Sequence, residues 1–204
     1  PKSWWNLEQI AKKLTIKDED GRIVQAGVAM GLADNVDHFS DIIGLMLLQA
    51  GANPMVEQVK TEDVLAYYTR FATTYQVWDE TLVDSTTMFA NGKLAFYFGP
   101  AWRMYNLAEM NPNLNYGVAK VPQLPTLTGV PPEEIDSEAD LTNIHWASYW
   151  VPAINKNSGK KEIAFELVKY LAGKEAMARM VAASAQVRSV GLVPARKDLA
   201  SGAA

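Results

Sequence analysis

Apolar residues along this chain switch repeatedly between two spacings, and that alternation limits the fold more than any other feature. Ser3 is suited to cap a helix, and Leu7, Ile10, Ala11 and Leu14 follow at the i, i+3, i+4, i+7 spacing of one buried helical face. The turn Asp18-Glu19-Asp20-Gly21 then leads into residues 23–30, which read as a buried strand. A tight polar loop at 34–37 precedes a helix over about 39–49, apolar on nearly every face and so expected to lie deep. Further helices are expected over 61–74, with Val64, Tyr67, Tyr68 and Phe71 as its stripe, over 85–90, and from about 101. Strands are expected over 94–98, 116–121 and 145–154. Two helices, 160–172 and 174–183, come next, the first with Ala164, Leu167, Val168 and Leu171 as its stripe, and then an irregular tail or short return. Strands alternating with helices predict an α/β fold.

The 204 residues suffice for one large domain or two small lobes. A net charge of −4 with scattered lysines and arginines leaves no basic stripe to gather phosphates, so nucleic acid is not an expected partner. The chain has no cysteine, which excludes disulfides, thiolate metal sites and a cysteine nucleophile without fixing the compartment. The longest apolar stretch, 42–50, is interrupted by Gly44 and Gln49 and is too short to span a bilayer. Residues 122–143 carry four prolines and then Glu133, Glu134, Asp136, Glu138 and Asp140, the composition of an exposed loop. No signal peptide opens the chain, and Pro1-Lys2-Ser3 reads as the lead into a mid-chain helix, as though an N-terminal portion were missing.

The order and wording of these elements carry more than their periods. Pro1-Lys2-Ser3-Trp4 and its helix, Gly27-Val28-Ala29-Met30-Gly31, and the string from Met88-Phe89-Ala90-Asn91-Gly92-Lys93 to Gly99-Pro100-Ala101-Trp102 occur in sequence. Tyr116-Gly117-Val118, Val121-Pro122-Gln123-Leu124-Pro125, Tyr149-Trp150-Val151-Pro152-Ala153-Ile154-Asn155-Lys156 and Ala164-Phe165-Glu166-Leu167-Val168-Lys169-Tyr170-Leu171 follow. This ordered set resembles extracytoplasmic solute-binding proteins of ABC importers, in the class that includes maltose- and oligosaccharide-binding proteins. The resemblance implies a periplasmic-binding-protein-like (type II) two-lobe α/β fold, of which the first lobe has no counterpart here. Residues 1–143 would form the second, C-terminal lobe, 144–183 the strand and helices crossing to the first, and 184–204 a return segment. It also implies a non-enzymatic, monomeric receptor outside the cytoplasm, lipid-anchored in its full length, that closes on a carbohydrate and presents it to an ABC permease. A peptide, polyamine or anion is the alternative ligand, and a glycoside hydrolase the alternative class. No cofactor or metal is called for.

Aromatic platforms suit sugars, whose C–H faces stack on rings while their hydroxyls need fixed polar partners. Trp102 follows Gly99-Pro100 where a strand gives way to a helix, the place where open α/β sheets hold ligands. Its other reading is an indole buried under that helix. Alternation along 145–154 sets Trp146 and Trp150 on one face and Tyr149 on the other, one set core and the other at the cleft, with Tyr149 favoured at the cleft and Trp146 as a further candidate. Asn35, His38 and Ser40 lie where free helix N–H groups and short polar side chains can meet hydroxyls, or where Asn35 and Ser40 simply cap.

Several features have plainer readings. Tyr67-Tyr68 occurs in iron-binding relatives of the fold but here falls on a helical stripe, so both are expected in the core. Asp18-Glu19-Asp20-Gly21 lacks the ligand spacing of a calcium loop. Asp79, Glu80 and Asp84 show no sign of a glycosidase carboxylate pair. The chain has no Gly-x-Ser-x-Gly, Walker or Rossmann motif, and its two histidines are too far apart for a local metal pair.

Overall fold

A computed structural model describes residues 1–126, 129–135, 137–147, 149–187 and 194–200. Asp136 of the acidic run and residues 188–193 and 201–204 of the 184–204 segment therefore lie outside the described residues. The chain divides into two compact units, Pro1–Ser148 and Tyr149–Ala204.

In the first unit, α1 (Trp4–Leu14) starts where expected, because Ser3 Oγ accepts the otherwise unpaired N–H of Asn6 at 3.1 Å. It packs on a three-stranded sheet of order β1 (Ile16–Lys17), β2 (Ile23–Val28), β3 (Leu94–Phe96). β1 runs antiparallel to β2, and β3 parallel to it, with Ala26 opposite Leu94 and Val28 opposite Phe96. Gly27 is what lets α1 approach: a Cβ there would lie 2.0 Å from the Ala11 carbonyl oxygen. The parallel pairing of β2 with β3 is joined through α2 (Phe39–Ala50), α3 (Gln58–Thr73) and α4 (Ser85–Ala90), as a parallel crossover requires. The second helix is less deep than its composition suggests. It buries one stripe, Ile42, Leu45, Met46 and Gln49, while Leu48 is about half exposed. The core gathers Trp4, Leu7, Val28, Met30, Phe71, Val77 and Trp78.

The two adjacent tyrosines serve this core. Tyr67 donates its hydroxyl hydrogen to the Trp4 carbonyl at 3.1 Å and Tyr68 to that of Leu32 at 2.7 Å. Burial pushes the Tyr68 phenol up to about 12.

Two expected strands are not strands. Residues 116–121 have no ladder, and neither have the described residues of 145–154. A strand exists only through a partner, and among the described residues no neighbouring strand is paired with either run. Side chains take over part of the pairing. Buried Gln49 donates to the carbonyls of Pro122 and Ile144 (3.0 and 3.1 Å) and accepts from Trp4 Nε1. Gln123 accepts from the Ile144 N–H at 2.9 Å and from the Thr142 hydroxyl at 3.0 Å. The proline-rich stretch is accordingly not wholly exposed, since Gln123, Ile135 and Leu141 are buried among its short turns Pro132–Glu134 and Glu138–Asp140. The first unit also contains α5 (Arg103–Met110).

The second unit holds α6 (Lys161–Leu171), α7 (Lys174–Val187) and the short α8 (Lys197–Ala200). No residue of α6 is buried. Among the described residues no helix is long and apolar enough to cross a membrane.

Candidate functional site

At the C-terminal end of β3 the chain runs through Tyr97-Phe98-Gly99-Pro100 into α5, and Trp102 stands at that helix's N-cap. Its ring is neither buried nor free, with 44% of the residue exposed. The His38 ring meets it edge-on, centroids 5.6 Å apart at 78°. The Arg103 guanidinium carbon lies 4.9 Å from its centroid, within cation–π range.

His38 comes from the N-cap of α2, where it holds a left-handed backbone (φ 60, ψ 22) and caps nothing with its side chain. The imidazole instead connects two elements. Nε2 accepts from Arg103 Nε at 3.1 Å, and Nδ1 lies 3.4 Å from Asp41 Oδ2. Asp41 Oδ1 in turn accepts from Trp146 Nε1 at 2.9 Å. The Trp146 indole lies against α2 over Gly44, where an added Cβ would come within 2.9 Å of its ring.

Asp37 extends the network on the far side of Arg103, 3.8 Å from Nη2. Its Oδ2 accepts from the Thr86 N–H at 3.1 Å and from the Thr86 and Ser85 hydroxyls, at the start of α4. With the Thr86 hydrogen committed to Asp37, Tyr97, 2.9 Å away, is the donor to Thr86 Oγ1. Burial pushes the Asp37 carboxyl up, but the Thr86 hydrogen bonds and the Arg103 charge outweigh it and hold it below its ordinary range. Burial raises the Tyr97 phenol, so the hydroxyl stays a donor.

A cavity of about 530 Å³ opens beside this network, with Tyr97, Pro100, Ala101, Arg103, Tyr116 and Lys120 among its walls. A second hollow, of about 370 Å³, lies among Trp4, Trp5, Met46, Val64, Tyr67 and Leu124 and is walled almost entirely by apolar groups. The first sets rings beside the polar atoms of the Asp37–Arg103–Tyr97 network.

The structure therefore brings together Trp102, His38 and Trp146 from the sequence-derived candidates. Asn35 is turned elsewhere: its amide donates to the carbonyls of Asp79 and Leu82 and accepts from Trp78 Nε1 at 2.8 Å, tying loops to the core. Ser40 is exposed on the first turn of α2. Tyr149 belongs to the second unit and is 77% exposed. The reading of the residues missed Asp37, Asp41, Arg103, Thr86 and Tyr97. The signal available was weak: Asp37 and Asp41 flank His38 at the mouth of a helix, and Arg103 adjoins Trp102. Among the described residues no group of three or more carboxylates, histidines or cysteines is placed to hold a metal.

The model of the family described as bacterial extracellular solute-binding protein matches residues 1–204. The chain belongs to that family. Comparison with curated proteins and with solved structures returned no match. As a solute-binding protein it is the extracytoplasmic component of an ABC transporter, taking a small molecule and delivering it to the permease. Members of the family bind rather than transform their solutes, and the mixed α/β fold suits that role. The Trp102 network also suits it: ring faces and oriented polar atoms can hold a molecule without a nucleophile.

Proposed function

We propose that the solute is a carbohydrate, held on the Trp102 ring and gripped when a two-lobed type II receptor closes over it. This chain would supply most of one lobe, with 1–143 as its body and the following segments crossing to the other. The receptor would work as a lipid-anchored monomer, and ligand contacts made in the closed state would favour that state and its recognition by the permease. The single observation carrying the reading is the half-exposed Trp102 ring, fixed between His38 and Arg103 at the C-terminal end of β3. A sugar's apolar face fits such a ring, and its hydroxyls fit oriented groups such as Arg103, Asp41 and Tyr97.

Charge argues against an anion. Asp37 lies 3.8 Å from Arg103, whose positive charge is thereby already matched, and Asp41 adds a second carboxylate beyond His38. The same two carboxylates, beside exposed rings, favour a polyamine as the second reading. A thermal-shift panel of neutral oligosaccharides, spermidine, peptides and inorganic anions separates these readings, because only a true ligand raises the melting temperature with its concentration. The sugar reading predicts a rise with an oligosaccharide and none with spermidine. Calorimetry on Trp102→Ala then tests the platform: sugar binding should weaken by about 1–2 kcal/mol. Unchanged affinity would remove Trp102 from the site. Chromogenic glycosides incubated with the protein should remain intact.

A further inference from the structure

The imidazole of His38 is held between a donor, Arg103 Nε, and an acceptor, Asp41 Oδ2. Arginine has donors only, so the 3.1 Å bond from Arg103 Nε requires a bare Nε2 on His38. A neutral ring then carries its hydrogen on Nδ1, which is the nitrogen 3.4 Å from Asp41 Oδ2. His38 holds a left-handed backbone, which a non-glycine residue adopts only at a cost, and its side chain does no capping. The strained position thus holds a ring whose contacts all lead into the site.

We infer that neutral His38 is a positioning residue that sets Arg103 against the Trp102 ring, so that adding a proton to it dismantles the platform and releases the ligand. This deepens the proposed function and rests on its placing of the ligand at Trp102. Protonated Nε2 would turn an N–H toward an N–H and set two cations 3.1 Å apart. The charged groups facing the ring are Arg103 from α5, Asp41 from its own helix and Asp37 from the loop behind Arg103. Trp102 and Trp146 are uncharged, as are Thr86 and Tyr97, which back Asp37. The imidazolium would keep Asp41, and Arg103 would be driven off toward Asp37. The guanidinium then leaves the indole, and the wall of the cavity that Arg103 lines changes with it. A neutral sugar carries no titrating group, so any pH dependence of its binding belongs to the protein.

The test uses the whole chain and maltotriose as probe, titrated calorimetrically at pH 8 and pH 5.5. Affinity should fall about tenfold on acidification, the order carried by one charged hydrogen bond. His38→Asn tolerates the left-handed backbone and offers Arg103 a carbonyl acceptor that does not titrate. In that variant the ratio between the two pH values should collapse toward one, whatever its affinity at pH 8. Binding that is flat with pH in the parent chain, or equally pH-dependent in His38→Asn, overturns the inference and leaves the sugar reading intact. If maltotriose does not bind at pH 8, nitrogen NMR of the free protein decides. A bare Nε2 at pH 8, with the Arg103 Nε–H resonance and the His38 ring signals shifting together as the pH is lowered, supports the inference. A protonated Nε2 at pH 8, or an Arg103 signal that does not follow His38, overturns it.

Discussion

Helices α2 and α6 are both rich in apolar side chains, yet they meet opposite fates. The first buries Ile42, Leu45 and Met46 in a core shared with α1, α3 and β2. The second buries nothing, and Ile163, Phe165, Leu167 and Tyr170 are each more than half exposed. The difference lies in layers rather than in composition. The first unit sets helices against a sheet and against each other, so a stripe has something to face. In the second, α6 packs with α7, and among the described residues the buried apolar ones are Ala176 and Pro194. An apolar stripe states which face wants cover; only a second layer supplies it.

The sharpest break of this comparison is a pair of truncations. Phe71 is fully buried and packs edge-on against the rings of Tyr67 and Tyr75. Phe71→Ala should cost about 3–5 kcal/mol in urea unfolding followed by circular dichroism. Phe165→Ala, at a position 58% exposed, should cost well under about 1 kcal/mol. A comparable loss at both positions would mean that α6 is covered in solution after all.

The same contrast explains what could be read from the sequence. Helices were legible because their periodicity is local: Ser3 caps α1 as expected, and Val64, Tyr68 and Phe71 form the buried stripe of α3. The strands at 116–121 and 145–154 were misread because β composition names a candidate while pairing depends on a distant neighbour. Within the candidate site, the positions of Trp102 and His38 were legible as a ring after a strand and a polar residue before a helix. Arg103, Asp37 and Thr86 were not, since their chemistry arises from contacts between residues dozens of positions apart.

Gln49 offers the next, smaller break. It looks like a flaw in an apolar run, but its amide joins α1 to two segments that lack a sheet. Gln49→Leu keeps the bulk and orphans the Trp4 indole N–H and the Pro122 carbonyl, while the Ile144 carbonyl is left with the Gln123 amide as its donor. The expected cost is about 1–3 kcal/mol, with faster amide hydrogen exchange at Ile144 than in the parent chain. A neutral or stabilising outcome would mean that these segments hold themselves in place.

The smallest effect falls nearest the boundary between the units. Trp146 belongs to the first and lies on α2, whereas Tyr149 and Trp150 belong to the second and are 77% and 94% exposed. Replacing a glycine inside an exposed helix with alanine ordinarily stabilises by about 0.5–1 kcal/mol. At Gly44 the new methyl would sit 2.9 Å from the Trp146 ring, so the indole must lift and its hydrogen bond to Asp41 must loosen. The two effects oppose each other. Gly44→Ala should therefore change stability by less than about 0.5 kcal/mol while shifting tryptophan emission to the red, and Trp146→Phe should abolish that shift. A full helix-propensity gain with unchanged emission would place Trp146 off the helix, and the boundary of the first unit would then fall before it.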